Sequence, residues 1–328
     1  MTLIDGKVLN VITNTNSNQK CPICGATPKQ FVTTKNFNSD VFKPKLTSLR
    51  YGISPLHSWI RVFEFVVHIA YRIELKKWQI REASDKEAFQ LRKQEVQKRF
   101  WEEMGLHVDK PKANGGGTSN DGNTARKVFN NLELLSLITN IDIEILNNFR
   151  VILIAISCEY PIDTTKFEDF CKRTAFLYME KYLWFPMSAT VHKILVHGSQ
   201  IIQNCVMPVG CFGENASEAR NKLCKRDRNA HARKNTRKNN MTDVFNRAMD
   251  SSDPLLSSLS LSVREKYRKR EKLPEEVIQL LTPSSEFQIF NHLPGGSEYD
   301  SDNSDSDISE ADVVENALVL DTEDCDFE

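Results

Sequence analysis

The sequence contains few cysteines, no internal repeat and no long apolar run. Eight cysteines in 328 residues are too few for a disulfide scaffold. We therefore expect an intracellular protein with reduced thiols, in which a Cys-x-x-Cys pair is considered first as a metal site. The longest apolar stretches, such as residues 151–157 (VILIAIS), are far shorter than the ~20 residues that span a bilayer. No membrane partner is expected, and no repeat architecture.

Basic residues are also missing from the C-terminal segment. From Ser297 onward the chain carries 13 carboxylates and no Lys or Arg, so the net charge of −1 conceals a body of +12. A body of that charge is typical of a protein with a polyanionic partner, although it could be an incidental basic surface. The acidic, Ser-rich segment cannot bury an apolar core, and we predict that it is disordered.

Apolar periodicity predicts a largely helical chain. Helical patterns occur within residues 49–78, 84–105, 126–157, 163–184, 191–205, 215–238 and 241–281. Ser84 and Glu87 form a capping-box pattern, and Gly105 marks the end of that helix. Residues 3–13 (LIDGKVLNVIT) are apolar around an Asp-Gly pair, which predicts a strand with a tight turn.

Two short pairs supply the ligand types of a zinc site. Cys21 and Cys24 form a Cys-x-x-Cys, and His192 and His197 lie five residues apart. Zinc binds four nitrogen or sulfur ligands in a tetrahedron. Five residues on an ideal helix separate two side chains by about 140°, so we expect the helix to begin, end or bend between the histidines. The alternative is an exposed Cys-x-x-Cys with two unrelated histidines.

Two carboxylates, Asp5 and Glu218, could converge on a catalytic metal site. Two-metal phosphodiester chemistry needs carboxylates that place the ions about 3.5–4 Å apart. Asp5 is expected at a strand end and Glu218 on a helix. The alternatives are an Asp-Gly hairpin turn for Asp5, and a solvated or dipole-complementing position for Glu218.

A dense basic run starts directly after Glu218. Cations that bind the phosphate backbone beside a catalytic carboxylate are a sensible arrangement for DNA. A solvated basic helix or a nuclear-localisation patch would give the same pattern. The run comprises Arg220, Lys222, Lys225, Arg226, Arg228, Arg233, Lys234, Arg237 and Lys238.

Six motifs, taken together and in order, resemble the Transib DNA transposases and, more distantly, the recombinase subunit of V(D)J recombination. The resemblance covers roughly residues 1–240. The motifs are IDGKV (4–8), CPICGATP (21–28), LHSWIRVFE (56–64), GNTARK (122–127), VHKILVHG (191–198) and SEARNK (217–222).

The resemblance implies a role for each matching residue. Asp5 and Glu218 would be the second and third carboxylates of an Asp-Asp-Glu triad that binds Mg²⁺ or Mn²⁺. Cys21, Cys24, His192 and His197 would bind a structural Zn²⁺. The resemblance implies that His57 lies close to the active site, Arg126 and Lys127 at the DNA, and Lys222 just past the catalytic glutamate. The predicted DNA-contacting residues are these four together with Lys225, Arg226, Arg228 and Arg233 of the basic run.

The implied fold is mostly α, with a partial ribonuclease H-like α/β core, a large helical insertion tied together by zinc, and a disordered acidic tail. We expect a core strand and Cys-x-x-Cys half-site in 1–48, the insertion in 49–185, and the histidine pair with the Glu218 helix in 186–240. C-terminal helices would occupy 241–292 and the tail 293–328. Only four residues precede Asp5, so the first strands and the first catalytic Asp are expected to be missing.

The resulting hypothesis is a C-terminal part of a nuclear cut-and-paste transposase. The complete protein would bind transposon ends as a homodimer and cut and join DNA with Mg²⁺. This chain alone is not expected to be catalytically competent. The alternatives are a non-cleaving zinc- and DNA-binding protein derived from a transposase, and a zinc-stabilised helical interaction protein that does not bind DNA.

Overall fold

The computed structural model describes residues 6–34, 36–37, 39–111, 118–213, 215–267 and 272–283, without the side chains of 6–7, 215–219, 260 and 263–267. The chain divides into two units. One comprises Met1–Gly213 and Lys272–Leu293, and the other comprises Glu214–Glu271 and Pro294–Glu328.

The first unit is built from helices joined by short turns. Two 3₁₀ turns, Asp40–Phe42 and Leu46–Ser48, precede α3, and a third, Val209–Phe212, follows α9. The α-helices are α1 (Gly6–Ile12), α2 (Pro28–Thr33), α3 (Pro55–Ala70), α4 (Ala83–Met104), α5 (Gly122–Phe129), α6 (Leu132–Thr139), α7 (Ile143–Ser157), α8 (Thr164–Tyr182), α9 (Ala189–Gln203) and α13 (Glu275–Gln279).

Side-chain caps explain where many of these helices begin. An oxygen of the residue before each helix accepts a hydrogen bond from a free N–H of the first turn. The capping residues are Ser54, Asp121, Asn131, Asp142, Asp163 and Ser188. Helix α4 differs from its prediction, because it begins after Glu82 without a side-chain cap rather than at Ser84; its predicted end at Gly105, in the left-handed conformation, is confirmed.

Helix α3 lies at the centre of the first unit. It is apolar on most of its surface and packs against α5, α7 and α9. Its Trp59 indole N–H donates to Ser157 Oγ of α7 at 2.9 Å, which satisfies a buried donor. Helices α8 and α9 pack closely because residue 198 is glycine; a Cβ there would meet the Phe167 ring at 3.0 Å.

The strand predicted for residues 3–13 is wrong over the part that the structure describes. Residues 6–12 form α1, in which Leu9 is buried while Val8 and Val11 are exposed. A strand needs a neighbour to pair its backbone groups, whereas a helix pairs them internally. The described residues contain no β-strand, only two isolated bridges, Pro111 with Thr118 and Ile162 with Leu281.

The second unit contains α10 (Asn215–Arg226), a π-helical turn (Asp227–His231), α11 (Arg237–Asp250) and α12 (Pro254–Tyr267). The prediction of one basic helix through Lys238 is wrong, because the helix widens at Asp227 and ends at His231. Asp227, which is buried, accepts from the Arg247 guanidinium of α11 at 3.0 Å. This ion pair joins the π turn to α11.

The prediction of a mostly helical chain is confirmed. None of the described helices is long and apolar enough to cross a membrane. The acidic segment predicted to be disordered, 293–328, lies outside the described residues.

Candidate metal centre

The cysteine pair lies on a tight turn before α2. The Cys21 N–H donates to Ala26 O at 2.9 Å, and the Gly25 N–H donates to Cys21 O at 2.7 Å. Gly25 has a φ of +82°, which favours glycine over any residue with a Cβ. The turn therefore presents both sulfur atoms from one short loop.

The histidine pair lies on one unbroken helix. Both His192 and His197 are within α9, so the helix neither begins nor ends between them. Their ring centroids are nevertheless only 5.2 Å apart. Imidazole side chains are long enough to turn toward the surface between two positions that do not share a helix face.

The two pairs meet. Ligand atoms of Cys21, Cys24, His192 and His197 all lie within 4.8 Å of one another, so this cluster could hold a metal ion such as zinc. Cys24 Sγ is 3.5 Å from His192 Nε2. Tetrahedral zinc, with Zn–S of about 2.3 Å and Zn–N of about 2.0–2.1 Å, places sulfur and nitrogen about 3.5 Å apart. The observed separation matches one edge of that tetrahedron.

The electrostatics favour the metal-binding protonation state at Cys24 and His192 but oppose it at Cys21. A hydrogen bond from Cys21, with a further one from His192, lowers the pKa of Cys24 to about 2. Burial lowers the pKa of His192 and favours the neutral imidazole. Burial raises the pKa of Cys21 well above its usual range, so a cation would have to displace that proton. The cluster thus presents one thiolate, one acidifiable thiol and two imidazoles.

One buried atom supports the fit of a metal directly. His197 Nε2 is buried and has no hydrogen-bond partner among the described residues. Buried polar atoms normally have partners, and a metal ion would provide one. The other ring nitrogen, Nδ1, is 3.3 Å from Gln200 Oε1. A second partner of this kind orients a ligating histidine and fixes its tautomer.

Aromatic side chains enclose His192. The Phe31 ring of α2 stacks on it with centroids 4.1 Å apart, and Phe42 lies 4.9 Å away. Sequence reasoning missed Phe31, Phe42 and Gln200. Gln200 could have been predicted as a partner of His197, because it lies three residues later and therefore at a neighbouring position on the helix surface. The two phenylalanines could not have been predicted from the sequence, since their positions depend on how the chain folds between α2 and α3.

The proposed catalytic carboxylates are not described as a site. Asp5 lies outside the described residues, and Glu218 lies on α10 with its side chain outside them. His57 lies in the first turn of α3, where its Nδ1 is 2.9 Å from the Ser54 hydroxyl. That contact belongs to the helix cap.

Arg126 and Lys127 occupy different environments on α5. Lys127 is exposed, whereas Arg126 is half-buried with its guanidinium 5.8 Å from the centre of the Trp59 ring. Burial lowers the pKa of Arg126, and its Nε and Nη2 atoms have no hydrogen-bond partner among the described residues. These two nitrogens are buried, so they do not face solvent.

The other predicted DNA-contacting cations lie in the second unit. Lys222, Lys225, Arg228 and Arg233 are exposed, and Arg226 is half-buried. Arg233 makes a bidentate pair with Asp243, at 2.8 and 2.9 Å. Its charge is therefore partly neutralised within the unit, which the sequence did not indicate.

No protein-family model matches this chain, and a search of curated proteins found no match either.

Proposed function

We propose that this chain is the zinc- and DNA-binding C-terminal portion of a cut-and-paste DNA transposase of the Transib type. The supporting observation is the four-residue cluster, because its two halves lie 168 residues apart and come from two of the six motifs. Chance proximity does not readily bring four ligands of the correct types within 4.8 Å of one another. A nuclear location and a homodimeric complete protein follow from the same proposal.

Zinc has a mechanical role in this proposal. Cys21 and Cys24 precede the central helix α3, and His192 and His197 belong to α9, which packs against α3. A bound ion would tie the loop that enters the helical unit to the last long helix of that unit. It would stabilise the scaffold rather than react with substrate, since four protein ligands leave no open position.

DNA binding would use the cations of the second unit together with α5. Exposed Lys222, Lys225 and Arg228 of the second unit, and exposed Lys127 of α5, would neutralise phosphates. Such contacts release counterions, so affinity falls as salt rises.

Cleavage would need a carboxylate set that this chain does not complete by itself. Asp5 and Glu218 would bind Mg²⁺ or Mn²⁺ as two members of the triad, and no residue of this sequence is assigned as the third. We therefore propose DNA binding without efficient cutting by this chain alone. A domesticated, non-cleaving protein is the alternative; detection of Mg²⁺-dependent nicking that Glu218→Gln abolishes would exclude it.

The test of DNA binding is the salt dependence of affinity for a labelled duplex. Each neutralised phosphate contributes a slope of about −0.9 in log K against log[salt]. A triple variant, Lys222→Gln, Lys225→Gln and Arg228→Gln, should make the slope less negative by about 2–3.

A matched triple replaces three exposed lysines of the first unit, Lys29→Gln, Lys86→Gln and Lys98→Gln. This control removes the same net charge and should leave the slope within about one unit of the parent. Equal effects of the two triples would show that only net charge matters. A parent protein with no salt-dependent affinity would contradict the proposed function and leave a zinc-stabilised helical interaction protein.

A further inference from the structure

Helix α11 carries an exposed apolar stripe in the second unit. Met241, Phe245 and Met249 are 50%, 62% and 58% exposed, and their four-residue spacing places them on one face. The opposite side of α11 is occupied, since Val244 is buried and Arg247 pairs with Asp227. Methionine side chains adapt to partners of varied shape and are common on binding surfaces. The stripe is therefore an exposed apolar face of a composition suited to binding.

The stripe begins in a strongly basic region. Residues 220–250 contain ten Lys and Arg against three Asp. Two of those aspartates, Asp227 and Asp243, are already paired with arginines. Lys238, three residues before Met241, is exposed. A partner should therefore combine apolar side chains with several negative charges.

We propose that the chain's own C-terminal segment, residues 308–328, docks on this α11 face. Its sequence, ISEADVVENALVLDTEDCDFE, carries eight carboxylates and no Lys or Arg. The apolar residues cluster in 313–320 (VVENALVL), and five carboxylates follow in 321–328. The apolar cluster would cover Phe245 and its neighbouring methionines, and the carboxylates would lie at the basic start of α11.

The connecting chain permits docking within one molecule. Twenty-four residues lie between Pro283 and Ile308. This connection reaches about 85 Å when extended, about four times the length of the 14-residue α11. Tethering raises the local concentration of the segment to about the millimolar range. Even modest intrinsic affinity then gives a large docked fraction. The charge complementarity favours this segment over a second copy of α11, because two basic faces repel one another.

Photocrosslinking in the full-length chain tests the docking without reference to DNA. Phe245→p-benzoyl-L-phenylalanine places a photoreactive group at the centre of the stripe, and mass spectrometry identifies the crosslinked peptide. The expected product joins position 245 to residues 308–328 of the same molecule. Mixing ¹⁵N-labelled and unlabelled chains distinguishes this from a crosslink between copies.

The matched control is Leu91→p-benzoyl-L-phenylalanine on α4, a position with the same 62% exposure but in the first unit. It should give no crosslink to residues 308–328. A second variant converts the eight carboxylates of that segment to amides and should lower the crosslink yield from position 245 several-fold. Crosslinks only between copies, only to residues before 284, or unchanged by the amide variant would overturn the proposal.

If the proposed DNA binding is also correct, the docked segment competes with DNA for the basic residues. A segment docked 90% of the time lowers apparent DNA affinity about tenfold, so the amide variant should bind DNA about tenfold more tightly. An intramolecular crosslink without DNA binding would support the docking and contradict the proposed function. DNA binding without the crosslink would support the proposed function and contradict the docking.

Discussion

Removing the metal, or one of its ligands, should destabilise the first unit by an amount that depends on the length of the loop that the metal closes. The cluster closes a loop of 168 residues between Cys24 and His192. Without the metal, the unfolded chain regains the conformational entropy of that loop, which lowers the free energy of unfolding by about 4–5 kcal/mol. A unit of this size changes its melting temperature by about 2–4 °C per kcal/mol. Zinc removal, or Cys24→Ala, should therefore lower the melting temperature by about 10–20 °C.

Differential scanning calorimetry with and without a high-affinity zinc chelator measures this effect, and metal analysis of the same samples gives the zinc content. Cys211→Ala is the matched control, because that thiol is exposed and does not belong to the cluster. It should retain about one zinc per chain and the parent melting temperature. The reasoning is refuted if the chelator removes zinc without moving the transition, or if Cys24→Ala and Cys211→Ala melt together.

Three further predictions concern single residues. Gly25→Ala places a Cβ at a φ of +82°, which should cost about 1–2 kcal/mol and weaken zinc affinity in a competition titration. Ser157→Ala leaves the buried Trp59 indole N–H without its acceptor and should lower the free energy of unfolding by about 1–3 kcal/mol in urea denaturation. The ion pair with Arg233 lowers the pKa of Asp243 to about 2. The pair therefore stabilises the second unit above pH about 4, and this stabilisation is lost as the pH falls toward 2. Hydrogen exchange at the Arg233 backbone amide should report the loss, and Asp243→Asn should remove this pH dependence.

The ligand set of the metal centre could be predicted from sequence because it depends on residue type and short local spacing. Both pairs, Cys21 with Cys24 and His192 with His197, can be recognised in the sequence without knowledge of the tertiary structure. Their meeting could not be derived from spacing, since it depends on how α2, α3 and α9 pack. The phenylalanines around His192 come from that packing and were missed for the same reason.

Two secondary-structure predictions were wrong because they were made from local sequence patterns alone. Residues 6–12 have the β-branched composition of a strand, but they form α1. The basic run after Glu218 has continuous helical composition, but the chain departs from α geometry at Asp227, which is buried against Arg247. The contact between Asp227 and Arg247 cannot be deduced from local composition or periodicity.

The most direct test of the central claim is X-ray absorption spectroscopy at the zinc edge on the purified full-length chain. The account predicts about one zinc per chain with two sulfur neighbours at about 2.3 Å and two nitrogen neighbours at about 2.0–2.1 Å. His197→Ala should reduce the nitrogen count or abolish binding. A folded chain that contains no zinc, or a zinc shell dominated by oxygen, would contradict the account.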